Sequence, residues 1–411
     1  MGRAEALERV IGGGTSGVAV SMFDGTRAGD PNAAVTIHVR NERALAYVAT
    51  GKGDLGLARA FVSGDIEVEG DLYLALAALS RLDLEMSLAD RWRLLRELGG
   101  VKLLRRPPAP EQEVHLRGRV HSKARDQEAI SHHYDVSNKF YEWLLGPSMA
   151  YTCAVYPTRE ATLEEAQFAK FDLVAKKLAL APGMRLLDVG CGWGGMVMHA
   201  AREYGVRALG VTLSRRQAEW AQKAIAEAGL TELAEVRHLD YRDVPEQSFD
   251  AVSSIGLTEH IGLKQLSGYF QFLYGRLRPG GRLLNHCITM PTNAEGVKRG
   301  WFIQRYVFPD GELTGVGRLV SEMQDIGFEV RHEENLREHY GMTTRDWSTN
   351  LNAHWDEVVA EVGIGKARVW RLYLAGVQLA FEQNGIQLHQ VLGVKPHPDG
   401  NAEVPLRFDW A

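Results

Sequence analysis

The chain has 411 residues, of which 45% are hydrophobic and 24% charged, and its formal net charge is -5. These values are typical of a globular protein with two or three domains and a well-buried core. The negative charge argues against nucleic acid as a partner, since nucleic-acid binding normally needs a dominant basic face. No apolar run reaches the ~18 residues of a membrane span, and the N-terminus lacks the apolar core of a signal peptide. Three widely separated cysteines without C-x-x-C spacing exclude a zinc ribbon and predict a reducing, cytoplasmic setting.

Residues 1–115 predict a small α+β domain. Two β-rich runs, 33–39 and 43–49, are separated by three polar residues, which is typical of a hairpin. Helical patterns follow at 55–62, 72–79 and 87–98. Because no catalytic constellation occurs here, we expect a substrate-handling or assembly module.

Residues 101–125 are rich in proline, lysine and arginine and predict a linker. A solvated hinge explains most charge runs of this kind. However, Leu103 and Leu104 lie between basic residues, and anionic lipid attracts such segments at roughly 1 kcal/mol per basic residue. Peripheral docking on a membrane surface is therefore a hypothesis, with Lys102, Arg105 and Arg106 as its cations.

Residues 116–411 predict a second, α/β domain. Thr162 and Glu165 form a capping box that opens a helix. The apolar face of this helix is predicted to hold Phe168, Phe171, Ala175 and Leu178. Strands and helices then alternate, which predicts a parallel sheet covered by helices on both faces. The predicted strands are 184–189, 207–212, 234–239, 249–255, 282–288, 328–331 and 388–394. Residues 292–326 break the alternation and predict a lid insertion.

The segment 186–195, LLDVGCGWGG, places four glycines directly after an apolar strand and before a helix. Glycines at such a turn let a ligand approach the backbone closely. The N–H groups of the following helix then point into the crevice at the carboxyl end of the sheet. The turn therefore predicts a site for a nucleotide-like ligand.

Gly190, Gly192 and Gly195 also satisfy G-x-G-x-x-G, so dinucleotide binding by an oxidoreductase is an alternative. That fingerprint expects an acidic residue at the end of the next strand. Here the strand ends in Thr212-Leu213-Ser214. Asp188, in contrast, precedes the first glycine, which fits a ligand without a pyrophosphate, such as S-adenosylmethionine.

Several motifs occur together in one order along the chain. They are HYDVSNKFY (133–141), MAYTCA (149–154), LEEAQ (163–167), the glycine turn, GVTLS (210–214) and SIGLTEH (254–260). The set resembles the cyclopropane-fatty-acid synthase family of S-adenosylmethionine-dependent lipid methyltransferases, most closely its actinobacterial members, and the resemblance spans roughly residues 128–395. The resemblance implies a Rossmann-like methyltransferase sheet with helices on both faces, beside the smaller N-terminal α+β domain.

The sequence and the resemblance together give a donor site around the glycine turn. Its residues are Tyr151, Thr152, Asp188, Gly190, Gly192, Thr212, Leu213, Gln217, Asp240, Tyr241 and Arg242. We expect Thr212 and Gln217 to bond the ribose hydroxyls in place of the missing acid. Asp240 is expected to accept from the adenine amine, and Tyr241 to stack on the ring.

The resemblance also implies a bound bicarbonate ion as the base. Its holders map onto Cys153, Glu259, His286, Ile288 and Tyr340. An alkene is a poor nucleophile, so the methyl group must be held against it in a dry pocket, and the resulting carbocation must lose a proton. Two anions in contact repel each other, so we expect the bicarbonate hydroxyl to donate to Glu259. The aromatic candidates for stabilising the cation are Tyr134, Phe140 and Tyr340.

The resemblance therefore implies methyl transfer from S-adenosylmethionine to the cis double bond of unsaturated acyl chains, which we expect to be those of membrane phospholipids, giving a cyclopropane. The alternative product is a 10-methylene branch, which a separate reductase partner would convert to 10-methyl. A methyltransferase for a soluble small molecule and a non-catalytic lipid carrier are more distant alternatives. A homodimer and a cytoplasmic, peripherally membrane-associated location are also expected. The histidines do not group at metal-ligand spacing, so no metal is expected.

Overall fold

A computed structural model of the protein describes residues 2–10, 17–81, 88–114, 125, 137–294 and 300–410, without the side chains of Val10 and 88–91. The chain divides into two compact units. Unit 1 consists of Met1–His115, Lys298–Pro309 and Leu351–Leu379. Unit 2 consists of Leu116–Val297, Asp310–Asn350 and Ala380–Ala411. Within the described ranges, no helix is both long enough and apolar enough to cross a bilayer.

Unit 1 contains a four-stranded sheet of order β2-β1-β3-β4, in which β1 and β3 are parallel. Its strands are β1 (Val18–Met22), β2 (Arg27–Ala28), β3 (Val35–Val39) and β4 (Ile66–Glu69). The helices of the N-terminal segment are α1 (Arg3–Val10), α2 (Glu42–Thr50), α3 (Leu55–Val62), α4 (Leu72–Ser80) and α5 (Leu88–Leu98), followed by a 3₁₀ helix at Gly100–Leu104. Alternate residues of β1 and β3 are buried, and these strands form the core of the unit with residues of the helices.

The predicted hairpin over 33–49 is wrong in its second half, because residues 42–50 form α2. Asn41 begins this helix, and its side chain accepts a hydrogen bond from the backbone N–H of Ala44 at 3.2 Å. Residues 44–47 are all buried. The N-cap and the alanines favour the helix more strongly than Tyr47 and Val48 favour a strand.

The structure also differs from the prediction of one domain over 116–411, because two later segments belong to unit 1. The N–H of Val114 donates to the carbonyl of Arg305 at 2.7 Å. Arg368 donates to the carboxylate of Glu67 at 3.0 Å. Both contacts join residues that are far apart in sequence, so local patterns do not reveal them.

Unit 2 is built on a seven-stranded sheet of order β10-β11-β9-β8-β5-β6-β7. Its strands are β5 (Arg185–Val189), β6 (Arg207–Thr212), β7 (Ala234–His238), β8 (Phe249–Ile255), β9 (Leu277–Thr289), β10 (Glu329–Asn335) and β11 (Gln387–Val394). Strands β5 to β9 pair in parallel, and β11 pairs antiparallel with both β9 and β10. Successive residues of β5, Leu186 and Leu187, belong to different core clusters, so both faces of the sheet are covered. The predicted α/β fold is confirmed.

The remaining helices follow in chain order. They are α6 (Asn138–Leu145), α7 (Leu163–Lys177), α8 (Gly195–Tyr204), α9 (Arg215–Glu227), α10 (Thr258–Ile261), α11 (Leu266–Arg276), α12 (Val316–Ile326), α13 (Arg337–Ala353), α14 (Trp355–Val362) and α15 (Ile364–Glu382). A 3₁₀ turn lies at Tyr241–Asp243 and a π-helical turn at Ile303–Val307.

The described residues of the predicted lid, 292–326, are divided between the two units. Among them, residues 300–309 belong to unit 1. Helix α12 belongs to the core of unit 2, where Leu319 and Met323 are buried. The segment breaks the sequence alternation because the chain passes from unit 2 to unit 1 and then returns to unit 2. Residues 295–299 lie outside the described ranges.

Helix α7 begins with the predicted capping box between Thr162 and Glu165. Its buried face differs from the prediction, because Phe168 is 52% exposed whereas Lys170 and Lys177 are fully buried. The two lysines are seven residues apart and therefore lie on the same side of the helix, two turns from each other.

Candidate active site

The glycine turn between β5 and α8 has the backbone conformation that its sequence requires. Gly190 and Gly192 have φ angles of +73° and +55°, in the left-handed region that favours glycine. A Cβ atom on Gly190 would lie 3.1 Å from the side chain of Leu257. The Gly190 N–H donates to the carbonyl of Val211 at 2.9 Å, which holds the turn at the carboxyl end of β6.

A cleft opens beside this turn, at the carboxyl edge of the parallel strands. The predicted donor-site residues that line it are Tyr151, Thr152, Asp188, Gly190, Gly192, Thr212, Leu213, Gln217, Tyr241 and Arg242. Among the residues that the structure describes, Asp240 is the predicted donor-site residue outside this lining. Its carboxylate accepts from the guanidinium of Arg242 at 2.6 Å and from the Arg242 N–H at 2.9 Å. Asp240 therefore begins the 3₁₀ turn that carries Tyr241.

Thr212 and Gln217 meet where β6 ends. The Thr212 hydroxyl donates to Gln217 Oε1 at 2.8 Å, and both side chains are buried. Ser214 begins α9 and accepts from the Gln217 N–H at 3.3 Å, which fixes the position of Gln217. A hydroxyl and an amide at this position fit the hydroxyl groups of a ribose without an acidic residue.

Asp188 and Lys170 form the polar floor of the cleft. Asp188 is buried and accepts from the hydroxyl of Ser253 at 2.6 Å. Lys170 Nζ donates to the hydroxyl of Thr152 at 2.9 Å and lies 3.6 Å from the centroid of the Phe171 ring. Both charged side chains are therefore positioned by specific contacts, although neither is exposed to bulk water.

Burial shifts the pKa values of this pair in opposite directions. It raises the pKa of Asp188 to about 7, against the Ser253 hydrogen bond and the charge of Lys170. It lowers the pKa of Lys170 to about 7, against the nearby Cys153 and Asp188. Sequence reasoning missed Lys170, and the signal that could have found it is its seven-residue spacing from Lys177 on an otherwise amphipathic helix.

Glu259 and Ile288, two of the predicted base-site residues, are in contact. Glu259 lies in α10, directly after β8, and its Oε1 accepts from the Ile288 N–H at 2.7 Å. The next two residues of α10, His260 and Ile261, line the donor cleft. The short helix thus links the two predicted sites.

His286 lies in β9 and is almost completely buried. Its Nδ1 is 3.1 Å from the Nε2 of Gln390. Burial, followed by the positive charges of Lys170 and Lys177, holds the pKa of His286 well below its usual range. The ring is therefore neutral at physiological pH.

Cys153 and Tyr340 meet at the backbone of Leu336. The Cys153 thiol is fully buried, and its Sγ lies 3.1 Å from the carbonyl of Ala154 and 3.8 Å from that of Leu336. The Tyr340 N–H donates to the same Leu336 carbonyl at 3.2 Å. Burial raises the pKa of Cys153, so this residue is a neutral thiol rather than a nucleophile.

Aromatic rings continue from the donor cleft to Tyr340. Tyr151, which lines the cleft, lies 5.1 Å from the ring of Trp347, and Trp347 contacts Tyr340 edge-on at 6.0 Å. Tyr340 in turn stacks on Phe381 at 4.4 Å. Trp347 is fully buried and was not predicted from sequence. We call Tyr151, Trp347, Tyr340 and Phe381 the aromatic wall.

The other candidates for cation stabilisation are placed less directly. Phe140 is fully buried and contacts Tyr141 edge-on at 5.2 Å, while Tyr141 lies 6.0 Å from Tyr151. The ring of Tyr141 therefore separates Phe140 from the aromatic wall. Tyr134 lies outside the described residues.

The arrangement combines a polar cleft with an apolar interior. Hydrogen-bonding groups line the cleft at the glycine turn, and a neutral imidazole and a carboxylate lie among buried residues near it. Such a site can hold a polar donor at the sheet edge and keep an apolar acceptor away from water.

The family model for mycolic acid cyclopropane synthetase matches residues 121–391. The chain belongs to this family. It is accordingly an S-adenosylmethionine-dependent lipid methyltransferase, and the resemblance found in the sequence is confirmed.

Relatives of this methyltransferase cover between about two thirds and nearly all of its length. It is 53% identical to a probable fatty acid methyltransferase of Mycobacterium tuberculosis, over 99% of this chain and 98% of that one. It is 31% identical to the cyclopropane-fatty-acyl-phospholipid synthase of Escherichia coli, over 83% of each chain. The crystal structure of the mycolic acid cyclopropane synthase CmaA1 complexed with SAH and CTAB matches with a TM-score of 0.62 at 32% identity, covering 65% of this chain and 97% of that one.

Proposed function

We propose that this methyltransferase transfers a methyl group from S-adenosylmethionine to the cis double bond of unsaturated acyl chains in membrane phospholipids and forms a cyclopropane fatty acid. The observation that carries the proposal is the polar donor cleft joined to a buried aromatic wall. A soluble, polar acceptor would not need such a wall, whereas an acyl chain does.

The donor side positions the methyl group. Thr212 and Gln217 would bond the ribose, and Tyr241 would contact the adenine. Lys170 and Asp188 hold the floor beneath them. Good orientation of two reactants can supply on the order of 7–11 kcal/mol of a barrier, which matters for a nucleophile as weak as an alkene.

The acyl side protects the carbocation that methyl transfer leaves on the chain. Water would trap this cation as an alcohol, so the site must be dry. Tyr340 and Trp347 are buried, and they continue the row of rings that begins with Tyr151 in the cleft lining. Aromatic faces stabilise a desolvated cation by about 2 kcal/mol.

A bicarbonate ion, when bound, would supply the base that removes a proton from the substrate cation. Its proposed holders are Cys153, Glu259, His286, Ile288 and Tyr340. His286 Nε2 is buried, and no described residue lies within hydrogen-bond reach of it, which suits an added oxyanion. The Ile288 N–H already donates to Glu259, so we propose that Ile288 acts by holding this carboxylate in place.

Product analysis tests the proposal. Purified enzyme is incubated with vesicles of a cis-unsaturated phospholipid and labelled S-adenosylmethionine, with and without bicarbonate, and the acyl chains are analysed by mass spectrometry. A gain of CH₂ with no remaining double bond indicates the cyclopropane. A gain with a reducible double bond indicates the 10-methylene alternative and a separate reductase partner. Unchanged acyl chains with donor and bicarbonate supplied would overturn both.

We also propose that the enzyme docks peripherally on anionic membranes through the end of α5 and the segment after it. Trp92, Val101 and Leu104 are 59%, 72% and 48% exposed. Leu103 is buried in the core of unit 1, so only one of the two leucines considered in the sequence can reach lipid. The exposed cations nearby are Arg93, Arg96, Lys102, Arg105 and Arg106. Exposed tryptophan and aliphatic side chains among cations are typical of an interfacial segment.

Vesicle co-sedimentation tests the docking surface. Neutralising Lys102, Arg105 and Arg106 together should lower affinity for anionic vesicles by about 10²-fold, since each basic residue contributes about 1 kcal/mol. Neutralising three exposed cations of unit 2, Lys176, Arg207 and Lys223, is the matched control. Equal binding by both variants would contradict this surface.

We propose in addition that the enzyme is a homodimer, which would present two such surfaces to one bilayer. Light scattering during size-exclusion chromatography of the full chain measures this directly. A monomeric mass at micromolar concentration would contradict it.

A further inference from the structure

Three strands of unit 2 carry a row of polar residues across the sheet. Glu334 in β10 pairs with Gln390 in β11, and Gln390 pairs with His286 in β9. Lys177, the last residue of α7, reaches the same row. Its Nζ bonds the carboxylate of Glu334 and lies 2.7 Å from Oε1 of Gln390.

The burial of these groups makes their hydrogen bonds obligatory. Lys177, Gln390 and His286 are each at most 1% exposed. A polar atom left unpaired at such a position destabilises the folded state, because it has lost water and gained no partner. These three side chains are therefore ordered by their hydrogen bonds and cannot exchange them for water.

The direction of each hydrogen bond follows from the chemistry of the side chains. A lysine ammonium only donates, so the atom of Gln390 that faces Lys177 must be the amide oxygen. The amide nitrogen then faces His286 Nδ1, at 3.1 Å. An amide N–H₂ group only donates, so Nδ1 must accept and cannot carry a proton.

We infer that Lys177 and Gln390 are positioning residues that fix His286 as the tautomer with its proton on Nε2. This inference rests on the proposed function, in which His286 holds an oxyanion. The Nε2–H is buried, and no acceptor lies within hydrogen-bond reach among the described residues. The ring is therefore oriented as a donor toward an acceptor that belongs to the reaction.

The charges around His286 support a neutral ring. Lys170 and Lys177 of α7 both lie close enough to disfavour the imidazolium form. Glu334 of β10 is held by Lys177 and does not bond the ring. With a single proton on the imidazole, the tautomer decides whether the ring donates or accepts at Nε2.

Nitrogen NMR of the full chain labelled with ¹⁵N-histidine tests the inference in the wild-type protein. The signals of His286 are assigned by their absence in His286→Gln. We expect the ¹⁵N chemical shift of Nδ1 to be that of a non-protonated nitrogen and the shift of Nε2 to be that of a protonated one. A proton on Nδ1 would overturn the inference, and this readout needs neither substrate nor turnover.

Gln390→Glu is the sharpest variant, because it keeps the shape and replaces the donor with an acceptor. The new carboxylate would face Lys177 on one side and accept from Nδ1–H on the other. We expect the Nδ1 shift to become that of a protonated nitrogen, and kcat to fall on the order of 10²-fold with KM for phospholipid unchanged. An unchanged Nδ1 shift would overturn the inference.

Lys177 is tested with its neighbour as the control. Lys177→Met should leave the side-chain amide of Gln390 free to flip, so that His286 becomes a mixture of tautomers. Lys177→Arg keeps the hydrogen-bond donors and should restore most of the single tautomer. Lys176→Met, at a solvent-accessible position of the same helix, should change nothing. A single wild-type tautomer in Lys177→Met would exclude the role of Lys177.

The two proposals fail separately. If His286 shows the expected tautomer but vesicle acyl chains stay unchanged, the proposed function is wrong and the positioning by Gln390 stands. If acyl chains are methylated and Nδ1 is protonated, the positioning is wrong and the function stands.

Discussion

Glu259 is the residue whose charge the proposed chemistry needs most directly. Glu259→Gln keeps the shape of the side chain and an oxygen that can accept from the Ile288 N–H. The variant loses the negatively charged carboxylate that would accept a hydrogen bond from the hydroxyl group of a bound bicarbonate. We expect turnover to fall 10²- to 10⁴-fold, the range for a positioned acid–base group. Affinity for S-adenosylhomocysteine should not change, because Glu259 is not part of the cleft lining.

A turnover assay and a calorimetric titration separate these two expectations for Glu259. Glu227→Gln, which changes an exposed carboxylate on α9, is the control. If the protein were a non-catalytic lipid carrier, the wild type itself would show no turnover. Loss of S-adenosylhomocysteine affinity in Glu259→Gln would contradict the separation of donor and base sites.

His199 gives the protein an acid sensitivity that is independent of catalysis. The ring is buried against Phe168, Phe171 and Tyr204, and burial lowers its pKa to about 4. Between pH 4 and 6.5 the unfolded chain therefore binds more protons at this position than the folded chain. The free energy of unfolding rises with pH across this window, by up to about 1.4 kcal/mol per pH unit.

His199→Phe removes the titrating group and keeps an aromatic ring packed against the three neighbouring aromatic rings. Relative to the wild type, the variant should be more stable at pH 5 than at pH 8. Urea unfolding at the two pH values measures the difference. The same difference at both values would mean that His199 does not titrate in this window.

At the scale of elements, α7 carries a buried lysine to each part of the site. Lys170 lies at the donor cleft, and Lys177 bonds Gln390 beside His286. Lys170→Met deprives Thr152 of its donor and Asp188 of the nearby cation, so the pKa of Asp188 rises further and this residue is protonated at neutral pH. We expect affinity for S-adenosylhomocysteine to fall about 10- to 100-fold, as for the loss of hydrogen bonds to charged groups. Calorimetry at pH 7.5 checks this, with Lys176→Met as the control. Equal affinities would contradict a role of Lys170 at the cleft floor.

Sequence patterns predicted this helix and its start but not its function. The capping box is a local signal, and it fixed the first turn correctly. Hydrophobic periodicity treats lysine as a surface residue and phenylalanine as a core residue. It therefore placed Phe168 inside and overlooked Lys170 and Lys177, whose burial depends on partners far away in the chain.

The glycine turn was predictable because its signal lies in the local sequence, whereas the burial of the lysines depends on distant residues. Gly190 and Gly192 need a conformation that other residues avoid, so their spacing carries information by itself. Trp347 carries no such signal, because it lies within a helix whose sequence does not state which ring it contacts. Its place in the aromatic wall follows only from the tertiary structure.

At the scale of the molecule, alternation along the chain predicted the parallel strands of the sheet but not that β11 is antiparallel to its neighbours. The composition of unit 1 could not be predicted either. Unit 1 combines the first 115 residues with Lys298–Pro309 and Leu351–Leu379. Its two later segments bury large apolar side chains, including Phe302, Tyr306 and Tyr373. Local patterns show that these residues are apolar but not which unit covers them.

A fragment of residues 116–411 should therefore fail to stay in solution when expressed alone, because these side chains lose their cover. Supplying residues 1–115 as a separate chain should restore part of the soluble fraction. Sedimentation of lysates with the full chain as reference measures both outcomes. A soluble fragment that binds S-adenosylhomocysteine normally would contradict this composition of unit 1.

The position of β11 has a consequence for how the protein is made. This strand lies between β9 and β10 in the sheet, yet it is the last strand to be synthesised. Unit 1 likewise needs residues up to Leu379. Neither core can close before these later segments have been synthesised, so each core has to wait for residues far from its first strand. Until then, the facing edges of β9 and β10 are the surfaces that a chaperone would have to shield.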